Sequence, residues 1–274
     1  MTLDLSQPRV MAILNVTPDS FYAGSRMSCA EAVETRVREA VDEGCDLVDV
    51  GGYSSRPGAD EVSPEEEWRR VKLGVATVRR LAPGLPVSVD TFRSEVAARA
   101  LDEFGPLIIN DISAGELDAR MLATVASYDV PYVAMHMKGD PKTMQSLTDY
   151  RRDIVTEVVD YFRRRVAAML EAGIRAGQIV LDPGFGFAKT ADQNFELLAG
   201  LPSLCADGYP VLAGLSRKSM IYRTLGTTPD EALAGTVALG WECLRQGASI
   251  LRVHDVREAV DTVRLFRAFA GRGV

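Results

Sequence analysis

The sequence is poor in the residue patterns that mark several common chemistries. Its four cysteines, Cys29, Cys45, Cys205 and Cys243, lie far apart with no CxxC pair. Neither a disulfide framework nor a thiolate zinc site is therefore expected, and a reducing cytoplasm is the expected setting. Two histidines, His136 and His254, are too few for a histidine-rich metal site. No apolar run approaches the ~18 residues a membrane span needs. Residues 1–8 carry Asp4 and no basic, apolar-cored leader, so neither a membrane nor export is expected. GxGxxG and GxxxxGK[ST] are absent, which argues against the common nucleotide cradles. No Ser-His-Asp spacing supports a hydrolase. Basic residues are outnumbered by acidic ones, 31 to 38: the net charge is −7, which disfavours nucleic-acid partners. Only five of the 31 basic residues are lysines, so the position of each lysine is informative.

The chain does have a rhythm. Short apolar runs occur at Val10–Leu14, Leu47–Val50, Val87–Val89, Leu107–Ile109, Tyr132–Met135, Ile179–Leu181, Val211–Ala213 and Ile250–Val253. Near-continuous apolar runs of this kind suit parallel strands buried on both faces. Amphipathic stretches lie between them, among them Cys29–Glu43, Pro64–Leu81, Arg93–Phe104, Asp149–Ala172, Pro229–Gln246 and Val256–Ala270. Ser63–Pro64 followed by three glutamates is a helix start, and Gly44, Gly173 and Gly247 are helix stops. Eight βα units in this length predict an α/β fold, a single TIM (β/α)8 barrel over residues 1–274.

Every apolar run ends in polar residues or glycine: Asn15, Gly51-Gly52, Asp90, Asn110-Asp111, His136, Asp182, Ser216-Arg217-Lys218, and Arg252 with His254. In such a barrel these ends converge on one mouth, where active sites lie. Asp90, Asn110 and Asp182 can each cap a following helix. Together they suit a cradle for a flat, nitrogen-rich ring, because a carboxylate accepts paired N–H bonds and an amide offers both a donor and an acceptor. Arg56, Lys218, Arg252 and His254 form a second, cationic group fit for phosphate oxygens. Lys189 and Lys218 are two of the scarce lysines, both in mouth loops. Phe185 and Phe187 suit either loop packing or an aromatic platform.

These motifs also occur together in a known order. Ile13-Leu14-Asn15-Val16-Thr17-Pro18-Asp19-Ser20-Phe21, Asp49-Val50-Gly51-Gly52, Ser55-Arg56-Pro57-Gly58, Ser88-Val89-Asp90-Thr91 and Asn110-Asp111-Ile112-Ser113 are followed by Met135-His136-Met137, Asp182-Pro183-Gly184-Phe185-Gly186-Phe187, Ser216-Arg217-Lys218-Ser219 and Arg252-Val253-His254-Asp255. Over essentially its whole length the chain resembles the dihydropteroate synthases. The resemblance implies a transferase of folate biosynthesis that condenses 6-hydroxymethyl-7,8-dihydropterin diphosphate with 4-aminobenzoate. It implies a pterin cradle of Asp90, Asn110, Ile112, Met135, Asp182, Lys218 and Arg252, of which Asp90, Asp182, Lys218 and Arg252 carry catalysis. It implies a diphosphate end of Asn15, Ser55, Arg56, Arg252 and His254, with Asn15 also on Mg2+. The 4-aminobenzoate side is implied to comprise Ser55, Arg56, Pro57, Phe187, Lys218 and Ser219. Sulfonamide sensitivity and a homodimer are further implications. Tyr53 and Tyr22-Ala23 depart from the family pattern, and Ser55 stands for a common Thr. Two other readings stay open: a pterin-binding paralogue without catalysis, and a methyltetrahydrofolate-dependent methyltransferase, which has no use for a diphosphate end.

Overall fold

The computed structural model describes residues 3–17, 29–53 and 61–271. Eight strands form one parallel sheet: β1 (Arg9–Asn15), β2 (Leu47–Gly51), β3 (Val87–Asp90), β4 (Ile108–Asp111), β5 (Tyr132–Met135), β6 (Ile179–Asp182), β7 (Leu212–Ala213) and β8 (Ile250–Val253). The order runs β6-β5-β4-β3-β2-β1-β8-β7. A parallel bridge between Leu181 and Val211 joins the two ends, so the sheet curls into a nearly closed barrel. Among the described residues ten helices surround or follow the strands: α1 (Cys29–Asp42), α2 (Pro64–Leu81), α3 (Ser94–Phe104), α4 (Met121–Tyr128), α5 (Ile154–Glu171), α6 (Ala191–Ala199), α7 (Leu201–Cys205), α8 (Ser219–Tyr222), α9 (Leu233–Arg245) and α10 (Val256–Ala270). No described helix is long and apolar enough to cross a membrane.

Local sequence accounts for most of the boundaries. Ser63 caps α2 by accepting from the Glu66 N–H, with Pro64 at the first helical position and three glutamates in the first turn. The expected helix from Asp149 begins only at Ile154, because the Asp153 side chain caps it by accepting from the Thr156 N–H. The stretch Pro229–Gln246 divides into a 3-10 turn, Pro229–Glu231, and α9. Several strands run one residue past their apolar core. The polar end residues stay in the ladder, with Asn15 opposite Gly51, Gly51 opposite Asp90 and Asp90 opposite Asn110. That register sets the strand-end polar groups side by side.

The helices cover the outer face of the barrel. Val71, Val75 and Val78 recur at helical spacing along α2 and are fully buried in the same core as Val48 and Val50. The barrel interior is layered by side-chain alternation. Met11, Leu47, Ile108, Val133, Val180, Leu212 and Ile250 form a separate apolar plug. Two residues after Leu47, Ile108, Val133, Val180 and Ile250 come Asp49, Asn110, Met135, Asp182 and Arg252. The same alternation that dries one layer therefore makes the next one polar.

Candidate active site

The polar layer is built around a half-buried cation. Arg252 donates to Asp49 at 2.7 Å and to Asp90 at 2.9 Å. Asp49 also accepts from the Asn110 side-chain amide at 2.9 Å. One guanidinium thus holds two carboxylates from neighbouring strands, and an amide from a third strand completes the row. The other Asp49 oxygen, Oδ1, and the Ser88 hydroxyl are buried without a hydrogen-bond partner, and the two residues are register neighbours on β2 and β3. Burial and the adjacent Asp49 charge push the Asp90 carboxyl up to about 7, although Arg252 opposes them. Asp90 can therefore change charge near neutral pH.

Asp182 ends β6, opposite Met135 of β5. Its Oδ1 accepts from the Gly184 N–H at 2.8 Å. Burial raises its pKa, with Lys218, that N–H and Arg252 opposing. Lys218 is held low, at about 8, chiefly by burial, while Asp182 favours its charge. The Lys218 ammonium donates to the Phe185 carbonyl and lies 4.6 Å from the centre of the Phe187 ring. Gly186, at φ +80°, permits this approach: a Cβ there would meet the Lys218 side chain at 3.1 Å. Ser219 follows as the first residue of α8. Arg217, in the same loop, is instead turned toward Asp255, which it pairs with at 2.7 Å.

Beside these charges lies an apolar wall. Ile112, Met135, Met137, Met144 and Ala188 form a buried cluster, with Phe92 and Phe187 packed against it. Ile112, Met135 and Phe187 were expected here from the sequence. Met137, Met144 and Phe92 were not, because single apolar residues beyond a strand end carry no periodic pattern of their own. Asp49 was also missed as a site residue. It sits in the middle of β2, and its only sequence signal is a charge inside an otherwise apolar run. Tyr53 packs edge-on to Phe92 at 5.3 Å, with Arg93 over both rings.

On the β1–β8 side, Asn15 ends its strand beside Gly51. A Cβ on Gly51 would lie 3.3 Å from Asn15 Oδ1 and 3.7 Å from the Asp90 side chain, so the glycine keeps a gap between them. The His254 ring nitrogen Nδ1 is 3.1 Å from the Ser216 hydroxyl, which also accepts from the His254 backbone N–H. The structure thus gathers Asp90, Asn110, Asp182, Lys218 and Arg252 at one mouth, with Asn15 and His254 on neighbouring strand ends. Ser55, Arg56 and Pro57 lie outside the described residues. No group of three His, Cys, Asp or Glu side chains that could hold a metal occurs among the described residues.

Such an arrangement offers a ring-shaped ligand acceptors of variable protonation, an amide, one apolar wall and two half-buried cations. Comparison with known proteins agrees with that description. The family described as "Pterin binding enzyme" matches residues 11–254. The dihydropteroate synthase of Escherichia coli K12 is 44% identical over 271 residues, which is 97% of this chain and 93% of that protein. The Xanthomonas albilineans dihydropteroate synthase solved with 4-aminobenzoic acid is 43% identical, with TM-score 0.90 over 99% of this chain and 96% of that one. The Yersinia pestis dihydropteroate synthase solved with a sulfonamide drug is 38% identical, with TM-score 0.91 over 99% of this chain and 97% of that one.

Proposed function

The chain belongs to the dihydropteroate synthases, among the pterin binding enzymes, and from that premise we propose how its barrel mouth carries out the reaction. The enzyme joins 6-hydroxymethyl-7,8-dihydropterin diphosphate to 4-aminobenzoate, giving 7,8-dihydropteroate and diphosphate. The observation that carries this reading is the row Asn110–Asp49–Arg252–Asp90, closed by Asp182 and Lys218 over an apolar plug. Asp182 accepts from the amino edge of the pterin, and Asn110 and Asp90 meet its other edge. Ile112 and Met135 line the ring, and Arg252 covers it while joining Asp49 to Asp90. The C–O bond to the diphosphate breaks as the C–N bond to the aminobenzoate forms, and the amine proton leaves to solvent. Positive charge builds on the ring during that step, and buried carboxylates beside it stabilise that charge. The aminobenzoate amine is already neutral near pH 7, so positioning by Phe187, Lys218 and Ser219 suffices without a strong base.

The leaving diphosphate meets Asn15, Arg252 and His254, and Ser55 and Arg56, which lie outside the described residues, are assigned to the same end. Asn15 supplies a hard oxygen beside the gap that Gly51 leaves. One such donor fits Mg2+, which keeps most of its water and binds largely through phosphate oxygens. When bound there, Mg2+ would stabilise negative charge on the departing diphosphate. Sulfonamides are expected to inhibit by competing with 4-aminobenzoate. A homodimer in the cytoplasm is the working state we propose.

Two experiments test the reading. The coding sequence should restore growth of a folate-auxotrophic strain that lacks its own dihydropteroate synthase. Diphosphate should raise the melting temperature of the protein, and more so with Mg2+, by about 2.7 kcal/mol of stability at a hundredfold excess over Kd. A purely pterin-binding paralogue would fail to complement. A methyltransferase barrel would show no response to diphosphate.

A further inference from the structure

Lys189 is one of the five lysines, and no role in the mouth described above uses it. It is buried, with its ammonium 3.0 Å from the Gly184 carbonyl, 3.0 Å from the Phe187 carbonyl and 2.9 Å from His136 Nδ1. None of these three partners is a carboxylate. Burying a cation without a directly paired anion is costly, and an apolar residue would fill the space without that cost. Burial accordingly holds Lys189 down to about 7, with Asp182 favouring and Lys218 opposing its charge.

The carbonyls it holds belong to an unusual stretch of backbone. Gly184, Gly186 and Ala188 all have positive φ, at +68°, +80° and +52°. A Cβ on Gly184 would fall 2.0 Å from the His136 carbonyl, so the loop is pressed against the end of β5. Alternation of left-handed residues points successive carbonyls in different directions. Lys218 takes the Phe185 carbonyl, and Lys189 takes those of Gly184, just before it, and Phe187, two residues after it. Asn194 of α6 accepts from the Gly186 N–H at 2.7 Å. His136 is itself clamped, edge-on to the Tyr161 ring at 4.7 Å. Lys189 therefore links the Phe187 backbone to a fixed imidazole at the barrel rim.

We propose that Lys189 is a positioning residue for 4-aminobenzoate: by pinning the Gly184 and Phe187 carbonyls against His136, it sets the Phe187 ring that walls the aminobenzoate side. This rests on the assignment of Phe187 to that side. The pterin cradle meets this loop at Asp182, which accepts from the Gly184 N–H, and at Lys218, which donates to the Phe185 carbonyl; Asp90, Asn110 and Arg252 are held with Asp49 on other strands.

Lys189→Met removes the donors and keeps a similar length. Its 4-aminobenzoate KM is expected to rise about tenfold or more, while the pterin diphosphate KM stays within about twofold. Combined with Phe187→Leu, the change should be strongly non-additive, because a wall already removed cannot be misplaced. Amide exchange at Gly186 and Phe187 should quicken in the methionine variant while the amides of α10 keep their protection. Should that variant be insoluble, Lys189→Arg keeps a buried cation without the compact geometry and should show the same KM split more mildly. Proportionate rises in both KM values, additive free energies or unchanged exchange at Phe187 would each overturn the proposal. Wild-type protein that forms no product would refute the proposed reaction instead. In that case faster exchange in the variant would still establish the pinning and discard its link to 4-aminobenzoate.

Discussion

Arg252 illustrates how one residue organises the site. Its half-buried guanidinium lies between Asp49 and Asp90, so the cation proposed to face the ligand is also the one that keeps two carboxylates close together. Removing charge from any member should be felt through the others. Asp182→Asn exchanges a carboxylate for an amide at the same volume and loses a charge-assisted pair with the pterin. Pterin affinity should fall by about 2–4 kcal/mol, read by calorimetry, with 4-aminobenzoate constants much less affected. Asp90 supplies a pH test. Its carboxyl is pushed up to about 7 by burial and Asp49, whereas an unfolded aspartate titrates near 4. Between those values the folded state holds a proton that the unfolded chain has given up. Wild-type stability should therefore decline relative to Asp90→Asn as pH rises from about 4 to about 7, and the difference should level off above that. Denaturant titrations of both proteins across this range measure it; a difference independent of pH would place Asp90 in an ordinary solvated setting. Asp90, Asn110, Asp182 and Arg252 were expected at the mouth because polar residues end apolar runs, and the barrel gathers them there. The sequence hid Asp49, whose role depends on a third strand, β4, reaching it with Asn110.

At the scale of elements, close approach between helix and strand decides which glycines matter. Gly74 lies within α2, where a Cβ would sit 2.5 Å from Val50 Cγ1 and 3.0 Å from Val16 Cγ2. Gly240 lies within α9, where the nearest atom, on Leu251, would be 3.7 Å away. Helix propensity favours alanine at both positions by about 1 kcal/mol. At Gly240 nothing opposes it, so Gly240→Ala should stabilise. At Gly74 overpacking of about 1–3 kcal/mol should outweigh it, so Gly74→Ala should lower the melting temperature. Thermal unfolding of the two variants decides the matter, and the same sign for both would show that α2 can shift away from β2. The strands and most helices were legible in the sequence, since apolar runs and caps such as Ser63 are local signals. The start of α5 was not: the polar run from Asp149 looks helical until the Asp153 side chain is seen to close the first turn. The split before α9 likewise depends on the capping box of Thr228 and Glu231.

For the whole molecule, the barrel divides its interior into an apolar plug and a charged mouth, and the account stands on that mouth being a synthase site. A chain of net charge −7 must still attract a diphosphate ester and a carboxylate. Cations concentrated at strand ends would do so in the proposed reading, because burial and low dielectric strengthen short-range attraction over the long-range field. Family motifs told much of this from the sequence alone, but the coupling of Asp49, Asn110, Asp90 and Arg252 became visible only once β8 closed onto β1 and the register was known. The most direct measurement follows product by mass spectrometry in a mixture of purified protein, Mg2+, 6-hydroxymethyl-7,8-dihydropterin diphosphate and 4-aminobenzoate, with the Asp182→Asn protein run in parallel. Multiple turnovers to 7,8-dihydropteroate by the wild type, and a large loss in the variant, are predicted. A folded wild-type protein that binds the pterin diphosphate and yields no dihydropteroate would contradict the account.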